Sequence, residues 1–498
     1  MKRLKENEKK KTENVKEIFS RIQENLKNKW LLKISTTIIL IAVILGCYFV
    51  LTMLMKDKWT LPEIDLTKNK IYSLSEETEN KIKNIDKDIE ITLVNFSNND
   101  TVLNFADKYK NLNKKIKVEI VDDLTSRPDL VQKYSLTDGG GLILVASGEN
   151  EKAIHDHDLY TYDYSTYETI DLTEEAITNA IVNVTADVKP KVYFMSNHLM
   201  YDIDYYNKII QYMEDEANEV ETIDIFAREN IPEDCKCFVI TTLKEDITEK
   251  EKDELLNYIN NGGKLLLMCG PNLNGATLTN FQKVLDEYGI TIENGVLFEG
   301  NNDNMLTGYP DLIVENINTT NIFKGTNSKV CLIDSANLKY DDSKSEEIGV
   351  EYNVLAETSE KAFIRTNLEQ KSVDRTDQDS ITSKYTIALS ANKKVENDKE
   401  SDLIIITNEI FAMNQSIQIG GYTLSSLDLY NNKDFVLNSI AYLNGRDDLI
   451  TIRKNYDSVN TYTTTEKQNN IIMAIIFGLP LLIIIAGIVV WQVRRRKR

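Results

Sequence analysis

The chain has 498 residues, 42% hydrophobic and 27% charged, and carries a formal net charge of −20. That length and apolar content support two or three separate cores and exclude a wholly disordered chain. The charge is uneven: residues 1–33 hold 11 Lys/Arg against 5 Glu, and the last five residues are all basic. The middle is therefore more acidic than the total indicates, which excludes nucleic acid as its partner because phosphates are repelled. Five cysteines (Cys47, Cys235, Cys237, Cys269, Cys331) are too few and too oddly spaced for a disulfide framework or a zinc site.

In chain order, residues 1–33 form a basic segment in which Val15, Ile18, Phe19, Ile22, Leu26 and Trp30 recur at helical spacing. That pattern predicts a cytoplasmic amphipathic helix. Residues 34–55 are uncharged and rich in Ile, Leu and Val, long enough for a first membrane-spanning helix. The apolar run is too long for a cleaved signal peptide, and it continues past Cys47, unlike a lipoprotein box. Residues 471–493 form a second such run, after a stalk at 451–470 and before the basic tail 494–498. Basic residues flank both runs on the outer sides, so the positive-inside rule places both termini in the cytoplasm and residues 56–470 outside the cell.

Between the runs, residues 60–185 read as one α/β unit. Ser73 with Glu76, or Ser75, opens a helix; strands are predicted at 89–96, 117–121 and 141–146, and Thr173 caps a helix through Val184. Gly139, Gly140 and Gly141 precede a strand and no helix, so they form a turn and not a phosphate loop. Residues 186–450 read as a doubly wound unit with strands at 191–196, 221–226, 237–242, 264–269 and 402–407. Helices near 203–217, 248–261, 277–288 and 433–444 alternate with them. Thr248 with Glu251 makes a capping box, and Gly262-Gly263 ends that helix. Residues 300–400 lack the alternation and read as a β-rich insertion. The predicted fold class is thus α/β, with two membrane-spanning helices flanking an extracytoplasmic region of two α/β units with mainly parallel sheets.

Several motifs carry a family resemblance. Asp65-Leu66-Thr67 with Tyr72-Ser73-Leu74-Ser75, Ala176–Ile181 with Lys189–Phe194, Leu255–Leu267 around Asn261-Gly262-Gly263, and Phe435–Ile440 stand in one order along the chain. Together they resemble the GldG-type auxiliary components of ABC transporters, named for gliding-motility systems. The resemblance implies a non-catalytic partner of an ABC permease and its cytoplasmic ATPase. Where family members often carry a Gly-His-Gly-Glu-like turn, this chain has Ser196-Asn197-His198-Leu199-Met200, keeping only the histidine.

Little chemistry is legible. In an extended segment, the side chains of His155-Asp156-His157-Asp158 alternate between two faces, leaving each short of metal ligands, so a solvated loop is expected. Tyr160, Tyr162, Tyr164 and Tyr167 read as a contact surface or a packed strand face. No P-loop is present, so ATP hydrolysis belongs to another subunit; no nucleophile elbow supports acyl chemistry, and no cofactor is implied. Ligands of open α/β sheets bind beyond the carboxyl ends of the strands. Ser196, Asn197, His198, Thr242 and Asn272 are therefore the candidate ligand-binding residues, with Thr241, Gly270 and Pro271 beside them. The other readings are an anchored extracellular ligand-sensing or envelope-binding module and an anchored hydrolase using His198.

Overall fold

A computed structural model describes residues 73–446, apart from 137–139, 164–167, 229, 319, 321, 324–327, 371 and 420–421. The chain divides into two units, Met1–Lys68 and Asn69–Arg498, and the described residues belong to the second.

Ser75 opens the first helix, α1 (Glu76–Lys83), by accepting from Thr78 N at 3.2 Å, so Ser75 and not Ser73 is the cap. Strands β1 (Ile89–Val94), β2 (Ile116–Val121), β3 (Leu142–Ser147) and β4 (Asn150–His155) form a sheet in the order β2-β1-β3-β4. Ile89, Ile91, Leu93, Ile143 and Val145 face α1, α2 (Asp100–Leu112) and α4 (Thr173–Thr185). Val94, Val121, Leu142 and Leu144 pack on the other side against α3 (Pro128–Lys133) through Leu130. The alternation follows from the two-residue repeat of strand side chains. Thr173 is the first residue of α4 and not its cap: Leu172 takes the cap position without a side-chain bond, and Asp171 accepts from Thr173 N at 2.8 Å. A hairpin of β5 (Tyr160–Asp163) and β6 (Glu168–Asp171) leads into that helix.

The larger sheet has seven strands. Four parallel pairs join β8 (Glu219–Ile223), β7 (Lys191–Met195), β9 (Cys235–Thr241), β10 (Leu265–Met268) and β20 (Glu400–Ile406). On one face Val192, Phe194, Val239, Leu266, Ile404 and Ile406 meet α5 (Asn207–Asp215) and α8 (Asn432–Leu443). On the other, Tyr193, Phe238, Ile240, Leu265, Leu267 and Ile405 meet α6 (Glu249–Asn260) and α7 (Thr279–Asp286). Strands buried on both faces read as continuous apolar runs, as Leu265–Met268 does. The capping box forms as the sequence predicts: Glu251 N donates to Thr248 Oγ1 and Thr248 N to Glu251 Oε2. Gly262, at φ +86°, ends α6 in the left-handed region.

The segment between α7 and β20 contains β11 (Ile290–Ile292), β12 (Val296–Phe298), β13 (Met305–Leu306), β14 (Tyr309–Asn316), β15 (Lys329–Ile333), β16 (Leu338–Tyr340), β17 (Val350–Glu357), β18 (Phe363–Arg365) and β19 (Thr386–Lys394). Most pair in small antiparallel sheets, β11-β16, β12-β18 and β13-β14-β15. The excursion after β18 is pinned by Arg365, which is 1% exposed. Its Nε and Nη2 each donate at 2.9 Å to the Asp379 carboxylate, and its guanidinium lies 4.4 Å from the Phe298 ring centroid. A last hairpin, β21 (Ser416–Ile419) with β22 (Tyr422–Ser425), precedes α8.

This architecture corrects the predicted fold class. The fold is mixed α/β with several sheets, not two units with mainly parallel sheets. In the four-stranded sheet only β1 and β2 are parallel, and in the seven-stranded sheet β19 and, at the edge, β17 from the supposed insertion add two antiparallel strands. For two of these pairs, β3-β4 and β19-β20, the reason is local: a short connection permits only antiparallel neighbours. Gly148-Glu149 and residues 395–399 are such connections, with Gly148 at φ +62° and Asn397 at φ +62°. Among the described residues no helix is long and apolar enough to cross a membrane. The runs at 34–55 and 471–493 lie outside the described residues, as do the basic ends, the stalk and the Asp65-Leu66-Thr67 motif.

Candidate functional site

Because β7, β9, β10 and β20 run parallel, their carboxyl ends emerge at one edge of the sheet. The loops after β9, β10, β15 and β20 enclose a cleft of about 200 Å³ there. Its polar lining includes Tyr201, Thr242, Lys244, Asn272, Asp334 and Glu409.

Glu409, 6% exposed, lies three residues past the end of β20. Its Oε2 accepts the Tyr206 hydroxyl at 3.1 Å and the Thr242 N–H at 3.2 Å. Burial pushes its carboxyl pKa up, against the lowering by these donors. Thr242 is held in turn, its hydroxyl accepting from Gly270 N at 2.9 Å. Asp334, just past β15, sits at φ +54° with its N–H donating to Asp311 O at 3.1 Å. Burial, then the neighbouring Asp311, raises its carboxyl to about 6. Neither Glu409 nor Asp334 belongs to an ion pair among the described residues. Lys244, also in the lining, places its ammonium 3.8 Å from the centroid of the Tyr201 ring instead.

The five expected residues separate into two groups. Thr242 and Asn272 line the cleft, but Asn272 spends its amide within its own loop, bonding both N–H and C=O of Ala276. Ser196, Asn197 and His198 stand at the end of β7 and are not part of the cleft lining. Ser196 N extends the ladder to Ile223 O, and Asn197 is exposed. His198 is 7% exposed, with Nε2 at 2.8 Å from Glu251 Oε1 and its carbonyl accepting from Lys244 N. It ties the β7 turn to the capping box of α6. Asn197, His198 and Leu199 have φ values of +91°, +53° and +52°. Three consecutive non-glycine residues in that region store strain, about 1–3 kcal/mol each, which the bonds to Glu251 and Lys244 N offset. The turn leaves Leu199 62% exposed.

Glu409 and Asp334 were not among the expected residues. The carboxyl-end rule, extended to the strand at 402–407, reaches Asn408 and Glu409; Asp334 had no such signal, because β15 is an antiparallel strand of the irregular segment. The His155-Asp156-His157-Asp158 run ends β4 and turns away, with the His157 side chain 75% exposed. Among the described residues no group of three or more His, Cys, Asp or Glu is placed to hold a metal ion. Tyr160 is 41% exposed and accepts from Asn99 Nδ2 at 3.3 Å. Tyr164 and Tyr167 lie outside the described residues.

No curated protein matches this chain. The N-terminal domain of mmIFT52 is a structural match at 14% identity and a TM-score of 0.37, covering 51% of this chain and 97% of that one; a likeness that low carries no argument. Residues 189–309 match the family described as an ABC-type uncharacterized transport system. That stretch runs from β7 to the start of β14 and includes the cleft loops bearing Tyr201, Thr242, Lys244 and Asn272. Over those residues the chain is similar to an auxiliary component of an ABC-type transport system.

Proposed function

We propose that this chain is a non-catalytic auxiliary subunit of an ABC-type transport system, and that its strand-end face contacts the permease. The observation that carries this is the family match at 189–309, which covers β7, β9 and β10 and the loops after them on that face. The GldG-type assignment is the finer part of the proposal and rests on the motif order from Asp65-Leu66-Thr67 to Phe435–Ile440. The basic residues flanking the two apolar runs support a position for this domain outside the cytoplasm. A hydrolase built on His198 is disfavoured by that imidazole's burial against Glu251.

The test is gentle solubilisation of the full chain and identification of what travels with it. An ATPase and a polytopic protein are expected in stoichiometric amounts; recovery of the chain alone, under conditions that preserve ABC complexes, overturns the proposal. For location, a cysteine placed at Val188, which is 78% exposed, is expected to react with an impermeant maleimide in intact cells. Labelling only after lysis contradicts the external position.

A further inference from the structure

The carboxylates of the cleft differ from three carboxylates of the sheet domain that each meet a cation. Asp402 pairs with Lys264, Glu287 with Lys393 at the sheet's far strands, and Asp379 with Arg365. Glu409 and Asp334, lining one cleft, have no such partner among the described residues. A buried carboxylate without a cation is costly, and Glu409 has used only two of its roughly four acceptor positions on Tyr206 and Thr242.

Size and rim narrow the occupant. About 200 Å³ is below the ~300–1,000 Å³ of ordinary small-molecule pockets, yet it suits one long side chain. Leu273, in the lining, is 56% exposed; Tyr201 is 37% exposed and stacks edge-on with Tyr205, itself 47% exposed. Leu199 lies two residues before Tyr201. Exposed apolar side chains around a pocket of mixed lining match a protein contact in which an anchor is ringed by water-excluding neighbours. The acidic surface favours a cationic anchor by charge complementarity.

We infer that the cleft is the anchor pocket for one lysine or arginine side chain of the transport partner. Its cationic head is seated on Glu409 and Asp334, and its stem lies against Tyr201 and Leu273. This inference rests on the auxiliary-subunit reading and names the contact that reading requires. Lys244 lies on the Tyr201 ring at the cleft wall; its charge acts on Glu409, but it forms no ion pair with either carboxylate among the described residues.

The experiment uses the full chain solubilised with its transporter. Glu409→Gln with Asp334→Asn is expected to lower retention of the permease and ATPase about tenfold or more, the loss expected for one charge-assisted contact. Tyr201→Ala, at the rim and away from the buried network, is expected to weaken retention without unfolding the chain, and Glu409→Asp to restore part of it. Retention of the transporter by the double variant at the wild-type level overturns the inference and leaves the auxiliary reading standing. Wild-type chain that recovers no transporter overturns the auxiliary reading and the transport partner with it. A second arm needs no partner: the purified full chain is titrated with Nα-acetyl-lysine methylamide and its norleucine counterpart. The lysine compound is expected to bind about tenfold more tightly, a preference lost in the double variant. Equal binding of the two overturns the cation pocket regardless of what copurifies.

Discussion

Asp379 and Glu409 are both buried carboxylates beside the seven-stranded sheet, 8% and 6% exposed, yet only Asp379 meets a guanidinium. Arg365 holds Asp379 in a two-point pair that lowers its carboxyl to about 2, chiefly through the hydrogen bonds from Arg365. At Glu409 burial wins and the pKa rises. The first arrangement is complete within the chain and pins the excursion between β18 and β19. The second is incomplete and opens on a cleft at the edge where parallel-sheet proteins place their ligands. A buried charge that is paired belongs to the architecture; one left unpaired beside a cavity points outward, to another molecule.

The largest expected effect sharpens the paired side. Arg365→Ala strands the Asp379 charge and is expected to cost about 3–5 kcal/mol, read as a lower urea midpoint. Its pH signature has a definite sign. Because the folded pKa of Asp379 is depressed, its contribution is present above about 4 and is lost as pH falls toward about 2; Arg365→Ala flattens that acid limb. Glu315 supplies the opposite sign. Burial first, then Glu299, raises its carboxyl to about 7, so its contribution is full below about 4.5 and is lost as pH rises toward 7. Glu315→Gln is expected to remove up to about 3 kcal/mol of that decline; an unchanged pH–stability curve shows the shift is absent. His198→Ala, which frees one oxygen of Glu251, is expected to cost about 1–3 kcal/mol and to leave partner retention intact. Loss of retention with unchanged stability places the imidazole in the contact surface instead. The smallest stability effect is expected at Glu409→Gln, within about 1 kcal/mol of wild type, since removing an unpaired buried charge relieves as much as it loses. A loss like that of Arg365→Ala erases the distinction between the two carboxylates.

The sequence was most legible where local pattern and tertiary role coincide. Thr248, Glu251 and Gly262 bound a helix by their own chemistry, and runs such as Leu265–Met268 place themselves in a two-sided core. It was least legible where pairing depends on partners distant in sequence. Nothing local in Val350–Glu357 tells that it joins the sheet as an antiparallel edge strand beside Thr386–Lys394. The edge of the sheet that holds the cleft followed from strand order, and Thr242 and Asn272 with it. His198 drew attention because it is a rare histidine beside a strand end, yet its partner Glu251, 53 residues on, makes it a clamp. Asp334 stayed hidden because only the folded chain brings β15 to that edge.

The strand-end face is tested most directly by crosslinking from two exposed apolar positions, Leu273 at the cleft and Ile120 on β2, which are 56% and 50% exposed. A photoreactive residue is placed at each in the full chain, in cells. Docking through the cleft predicts a crosslink from position 273 to a polytopic transport protein, at a segment holding a lysine or arginine, and none from position 120. A crosslink from 120 with none from 273, or one from 273 to a segment without a basic residue, contradicts it.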